Sequence, residues 1–313
     1  MRRCAILFAV VSLWLPVTAF SQTRTPEAAL NHFQNAEKKI NKGDLDGAIE
    51  DYTRAIRLSS HLDLSSSSNS TFGNSYTESS ADTVKVVDPF TANAYNNRGL
   101  VKFKKGDNFG AIDDFNEALR IRPGQATPYM NRAAALRANG DREGALRDLD
   151  KAISLNKTYP EAYSNRGSLR LDHGDVNGAL ADLNRSIELS DRIPESFYQR
   201  GYTHIALTNY DRALADFDRA IRLAPGMAWA YQGRGTAWMK KAEMAKAIDD
   251  FTRAIELDPK ISWAYFNRGL ALVYIGDESK AQKDFDECLK MRPDLQAQLE
   301  AKIALARHLR SQK

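Results

Sequence analysis

The sequence predicts an all-α solenoid of stacked helical hairpins, and three observations carry that prediction. An aromatic residue returns every 34 residues, at Tyr95, Tyr129, Tyr163, Phe197, Tyr231 and Tyr265. Three residues after each stands an arginine: Arg98, Arg132, Arg166, Arg200, Arg234 and Arg268. One residue further comes a small one: Gly99, Ala133, Gly167, Gly201, Gly235 and Gly269. A period of this length, kept without slip, marks a supersecondary unit that buries its apolar face only by stacking on its neighbours. The 313 residues are therefore read as one array rather than as two domains.

The elements follow in order. Residues 1–21 read as a signal peptide. Arg2 and Arg3 form its basic start, Cys4 to Leu15 its apolar run, and small residues place cleavage near Ala19 or Ser21. That run is too short for a comfortable membrane span, so no transmembrane span is expected in the mature chain. Without the leader the only cysteine is Cys288, and stability then rests on packing rather than on a disulfide. Repeat 1 covers about 28–59, with His32 where the later copies have an aromatic. Residues of about 60–88 form an insertion rich in Ser, Thr and Asn, a composition that buries too little surface to order itself. Within it, Asn69-Ser70-Thr71 fits a glycosylation acceptor in a eukaryotic host.

Repeats 2–7 span about 92–295. In each, a first helix ends at a Gly-Asp pair such as Gly106-Asp107. The glycine closes one helix in the left-handed conformation and the aspartate caps the next. Two copies depart: Thr208-Asn209 keeps a capping side chain, and Ala242-Glu243 has neither a glycine nor a strong cap. Pro123, Pro225, Pro259 and Pro293 close four of the units, where a helix cannot continue. Gly99 and its equivalents face Ala111, Ala145, Ala179, Ala213, Ala247 and Ala281, so paired helices cross closely. Phe115, Leu149, Leu183, Phe217, Phe251 and Phe285 fill the space between repeats. Residues of about 294–310 read as an amphipathic capping helix, with Leu295, Leu299, Ile303, Ala306 and Leu309 along one face.

On these alanine, aromatic and proline sites the chain resembles the tetratricopeptide repeat family over nearly all of its mature length, as a variant with an Asn-Arg-Gly motif in its first helices. The resemblance implies a right-handed superhelical solenoid of seven helical hairpins plus the capping helix, forming a single domain over 22–313. The arginine departs from the family pattern, which has leucine there.

A role for the arginine is read from the second helices. Each has a matching aspartate: Asp51, Asp114, Asp148, Asp182, Asp216, Asp250 and Asp284. There are seven aspartates and six arginines, since repeat 1 has Asn35 at the arginine site. Pairing each aspartate with the next repeat's arginine leaves none orphaned: Asp51 meets Arg98, and Asp284 meets Lys302 of the capping helix. The expectation is an inter-repeat ladder, with guanidinium forks fixing register. The competing reading, an anion site, would leave some arginines without carboxylate partners.

No catalytic constellation is visible. The five histidines lack metal spacing, no glycine-rich phosphate loop exists, and Cys288 stands in a slot otherwise filled by alanine or serine. No cofactor, metal or enzyme activity is implied. A composition of 43% hydrophobic and 27% charged residues is ordinary, and the net charge of +4, about +2 without Arg2 and Arg3, gives no argument for nucleic acid.

What remains is surface. The resemblance implies a concave groove lined by first-helix residues two before the anchor aromatic and one, five and eight after it. Early repeats give Asn93, Asn96, Thr127, Met130, Glu161 and Ser164. Later ones give Glu195, Tyr198, Tyr202, Trp229, Met239, Trp263, Phe266, Leu270 and Val273, so the groove turns aromatic toward the C-terminus. The family's carboxylate clamp is half present: Asn97, Asn131 and Asn165 match its asparagines, but Thr127, Glu161 and Glu195 stand where lysine is needed. The expected function is an exported, periplasmic or secreted, interaction scaffold for a protein or peptide with apolar side chains. The alternative is a non-catalytic accessory subunit of an envelope or secreted enzyme complex, separable by co-purification with an active partner.

Overall fold

The computed structural model describes residues 25–60 and 89–312, and every described regular element is helical. The signal peptide and nearly all of the insertion lie outside these residues. Two compact units divide at Lys157/Thr158.

The first unit contains three hairpins: α1 (Glu27–Asn41) with α2 (Leu45–Ser60), α3 (Pro89–Lys104) with α4 (Asn108–Ile121), and α5 (Ala126–Ala138) with α6 (Arg142–Leu155). The second contains four: α7 (Pro160–Asp172) with α8 (Val176–Leu189), α9 (Pro194–Ala206) with α10 (Tyr210–Leu223), α11 (Ala228–Lys240) with α12 (Met244–Leu257), and α13 (Ser262–Ile275) with α14 (Glu278–Met291). A 3-10 turn over Pro293–Leu295 leads into α15 (Gln296–Ser311). No helix among the described residues is long and apolar enough to cross a membrane.

The hairpin turns follow the sequence signals. Gly106 takes φ of +86°, and the Asp107 carboxylate accepts from the Gly110 amide at 2.9 Å, capping α4. Asp44, Asp141 and Asp175 do the same for the second helices that they precede. The two departing copies keep the backbone shape without its usual residue: Thr208 and Ala242 have φ of +59° and +63°. Asn209 makes no side-chain cap, contrary to expectation. A Cβ in the left-handed region costs roughly 1–2 kcal/mol, and glycine's extra freedom when unfolded takes back about half of that. Ala242→Gly is therefore expected to stabilise the chain by about 0.5–1 kcal/mol, read from urea melts; a destabilised variant would contradict the strain.

Helix pairs close on the small residues. Phe115, Phe217 and Phe251 are fully buried, and Phe285 is nearly so. A Cβ on Gly269 would come within 2.3 Å of the Phe285 ring, and one on Gly235 within 2.8 Å of Phe251. Gly233 is held just as closely, by Phe217 of the repeat before. Overpacking of this kind costs roughly 1–3 kcal/mol. Gly269→Ala is expected to lose that much, with Phe285→Leu in the same chain restoring part of it. No recovery in the double variant would place the strain elsewhere.

Within each unit a first helix packs, outside its own hairpin, mainly on the second helix before it, as α3 does on α2, α9 on α8, α11 on α10 and α13 on α12. The last helix breaks this rule: α15 packs mainly on α13. The sequence of α14 changes at the same place. Where the other second helices carry Ile49, Ile112, Leu146, Leu180, Leu214 and Ile248, α14 has Gln282. Gln282 is exposed and bonded to the exposed Asp286. This flank is therefore more polar than its equivalents in the other second helices.

Candidate functional site

The arginine ladder is real, but its main pairs lie within each repeat. Nε and Nη2 of Arg98 donate to the two carboxylate oxygens of Asp114 at 2.9 and 2.7 Å. Arg132 meets Asp148 in the same fork geometry, Arg166 meets Asp182 and Arg200 meets Asp216. Arg234 with Asp250, and Arg268 with Asp284, complete the set. This corrects the expectation that each aspartate serves the next repeat. It also corrects both ends of the proposed ladder. Asp51 is taken by His32 Nδ1 at 2.9 Å and Lys39 Nζ at 2.8 Å, not by Arg98. Asp284 belongs to Arg268, and Lys302 is exposed on α15.

The arginine still links repeats, through its remaining nitrogen. Nη1 of Arg98, Arg132, Arg200, Arg234 and Arg268 donates to Thr53, Asn116, Asn184, Asp218 and Thr252 of the preceding repeat, at 2.7–3.1 Å. These acceptors stand two residues after the preceding aspartate. The sequence carried that signal as a polar residue recurring at one position. Each guanidinium also lies over the anchor aromatic three residues before it, 5.3–5.8 Å from the ring centroid. One planar side chain thus meets a ring, a buried carboxylate and a neighbouring repeat. With its donors committed to the protein, it has no fork left for a ligand anion.

A second basic position tunes the buried aspartates. It holds Lys39, Lys102 and Arg170, which reach Asp51, Asp114 and Asp182 at 2.8–2.9 Å. In the next copy it holds His204, whose Nε2 is 3.7 Å from Asp216. Burial favours the neutral imidazole and pushes the His204 pKa down, against the pull of Asp216. Leu136, Trp238 and Leu272 fill the position in the other copies, leaving it without a base. Burial also moves Asp250, in one of these copies, upward despite Arg234.

Cys288 is fully buried, and burial pushes its thiol pKa up to about 11. The thiolate that a nucleophile needs is therefore disfavoured.

The candidate groove positions divide. Tyr198 is 2% exposed, Phe266 3% and Leu270 6%, and Val273 is fully buried. These four are core rather than lining. Tyr198 packs edge-on against Tyr202 and Phe217, and Phe266, Leu270 and Val273 share a cluster with α15. The remaining positions are half-buried and present surface: Glu195, Tyr202, Trp229, Met239 and Trp263. Trp229 rests on the clusters of its own and neighbouring repeats, and Trp263 tilts against Phe266 at 5.1 Å. Tyr202 donates to Gln232 Oε1 at 2.5 Å, which ties α9 to α11. In the first unit Asn93, Asn96 and Met130 are buried, and Asn131 Nδ2 donates to Asn96 Oδ1 at 2.9 Å. Two of the asparagines that resemble a clamp are turned inward: Asn131 is 1% and Asn165 3% exposed.

Comparison with known proteins agrees with this architecture. Models of the tetratricopeptide repeat match residues 92–125, 133–174, 198–260 and 251–283, together a little over half of the chain. No curated protein is significantly similar. Among solved structures, a tetratricopeptide repeat protein from Parabacteroides merdae ATCC 43184 is 19% identical, with a TM-score of 0.63 over 90% of this chain and 99% of that one. Pseudomonas aeruginosa pilF is 16% identical, with a TM-score of 0.57 over 64% of this chain and 92% of its own. A chain of an APC/C hetero-tetramer is 13% identical, with a TM-score of 0.65 over 93% of this chain and 57% of that one. At such identities the likeness concerns the fold, and the repeat models supply the family. Period, hairpin geometry and matched models agree: the chain belongs to the tetratricopeptide repeat family.

Proposed function

We propose that the protein is an exported interaction scaffold that holds a protein or peptide on its first helices, chiefly through α9 and α11. The observation that carries this reading is the partly exposed set Tyr202, Trp229 and Met239, with Glu195 also partly exposed on α9. Large aromatic side chains left partly open on a rigid helical frame are the residue types that dominate interface energies. Behind them, paired arginines and aspartates tie together the two helices of each hairpin from α3–α4 to α13–α14. The partner contributes apolar side chains, with a basic group near Glu195. A bare C-terminal carboxylate is disfavoured, since Thr127, Glu161 and Glu195 stand where a clamp needs lysine.

Export follows from the basic and apolar start of the sequence. Mass spectrometry of the exported protein is expected to find a mature start near Phe20 or Gln22. Retention of Met1 in that pool would contradict it.

The binding reading is tested by a photo-crosslinking residue at Met239 in the tagged mature protein, used in its native compartment. A control carries it at Arg222, exposed on the second helix α10. A discrete adduct from position 239 and none from 222 is expected. Equal labelling at both positions would overturn the first-helix assignment.

A further inference from the structure

The last hairpin shows what an occupant of this surface looks like. Positions Ile205, Met239 and Val273 are equivalent in the repeat, eight residues after each anchor aromatic. Ile205 and Met239 are partly exposed, whereas Val273 is fully buried. The difference is α15. It packs on α13, and its Leu299 and Ala306, with Leu295 before it, share one cluster with Phe266, Leu270 and Val273. Ile303 joins the cluster as a partly buried member. Phe266 and Leu270 stand at positions that are buried in other repeats too, as at Tyr198 and Leu100, so Val273 marks the part of the first-helix face that the chain's own C-terminal helix covers.

The attachment is slight at its far end. Only Leu299 and Ala306 of α15 itself are fully buried. The end is pinned by Arg307 and Arg310 to Glu278 at 2.8 and 3.1 Å, and by Arg310 Nη1 to the Val273 carbonyl at 2.8 Å. These ion pairs are part-exposed, and exposed pairs contribute little each. Leu305, Leu309 and the neighbouring repeat's Ile275 stay in solvent, at 47%, 39% and 57% exposure. The expectation that Leu309 joins the buried stripe does not hold.

We propose that α15 is an internal ligand of the α13 face. The partner there is an amphipathic helix of the same chemistry: leucine, isoleucine and alanine at spacings of four, four and three, followed by arginine or lysine directed at Glu278. Such a helix binds by displacing α15. The proposal rests on the reading of the first helices as the binding surface and names the partner class for its last repeat.

The test uses the full mature chain, the double variant Arg307→Ala/Arg310→Ala, and Glu278→Gln. The probe is a fluorescein-labelled peptide with the sequence of residues 293–312. The parent is expected to bind it poorly, because its own α15 is in place. In the double variant the α15 amides are expected to exchange hydrogen at least about threefold faster, as loss of two exposed pairs implies, with α12–α14 unchanged. The peptide, which keeps both arginines, then binds this variant. Glu278→Gln loosens α15 from the opposite side of the same ion pairs, without altering it, and is expected to bind the peptide more weakly than the double variant. Exchange of α15 only together with α13 in all three proteins would make it a permanent part of the core and overturn the proposal. So would a loosened α15 with no peptide binding. A failed crosslink at Met239 leaves these readouts unchanged, and a fixed α15 leaves the surface on α9 and α11 untouched, so the two failures are distinguishable.

Discussion

Arg132→Ala is expected to destabilise the protein by about 3 kcal/mol, more than the same change at Arg98. The reason lies in what remains behind. Asp148 is 6% exposed and accepts two hydrogen bonds of 2.7 Å from Arg132. In that repeat the second basic position holds Leu136, so truncation leaves a buried carboxylate with no base opposite it. Breaking a buried pair from one side costs roughly 3–5 kcal/mol, and the part-exposed Arg132 places the expectation at the low end. Asp114, by contrast, keeps Lys102 at 2.9 Å when Arg98 is removed. Arg98→Ala is expected to cost about half as much, since the remaining hydrogen-bonded cation still pairs the carboxylate. Urea melts of the two variants supply the comparison. A double-mutant cycle of Arg132 with Asp148 is expected to show strong coupling, and one with Asp114 little. The reverse order would restore the inter-repeat pairing that the geometry argues against.

That pairing could not be settled by spacing. Translation by one period carries every arginine and aspartate onto an identical neighbour. Arg132 lies 16 residues before Asp148 and 18 after Asp114, and the pattern treats both partners alike. Only the ends break the degeneracy, and the ends are atypical. In repeat 1, His32 and Lys39 serve Asp51, and Asn35 stands at the ladder position in place of arginine. At the other end, α15 leaves the stack and takes Lys302 with it. The hairpins, turns and helix-closing prolines were legible because each depends on residues a few positions apart. The groove was legible only in part. A face assigned by helical periodicity does not say which large side chains turn in between helices. Tyr198 does so against Phe217, and Phe266 does so beneath α15. The displacement of α15 is accompanied in sequence by the single exchange of an aliphatic residue for Gln282, a weak signal beside an otherwise regular period.

Trp229→Ala is expected to weaken partner binding by about 2 kcal/mol or more, roughly a thirtyfold loss of affinity. Trp229 is half-buried: part of its ring rests on the clusters of α9–α12 and the rest faces solvent. It is thus an anchor already held in place, which spares the ordering cost that a free side chain brings to an interface. Truncation also removes packing. Fully burying an aromatic is worth about 3–5 kcal/mol against alanine, and a half-buried ring loses a fraction of that. The variant must therefore be shown to unfold cooperatively before its affinity is read. Tyr198→Ala and Phe266→Ala supply the contrast, because both rings are core. Their expected effect is lost stability, with affinity falling only as the folded fraction falls. Trp263→Ala is expected to cost less affinity than Trp229→Ala while α15 occupies α13, since that ring is shared with the covered cluster. Asn93→Ala, at a buried polar position of the first unit, is expected to leave affinity unchanged. Isothermal titration of the partner crosslinked at Met239 measures all five. If folded Trp229→Ala binds as tightly as the parent, the aromatic face of α9 and α11 is a packing surface, and the partner contacts some other part of the chain.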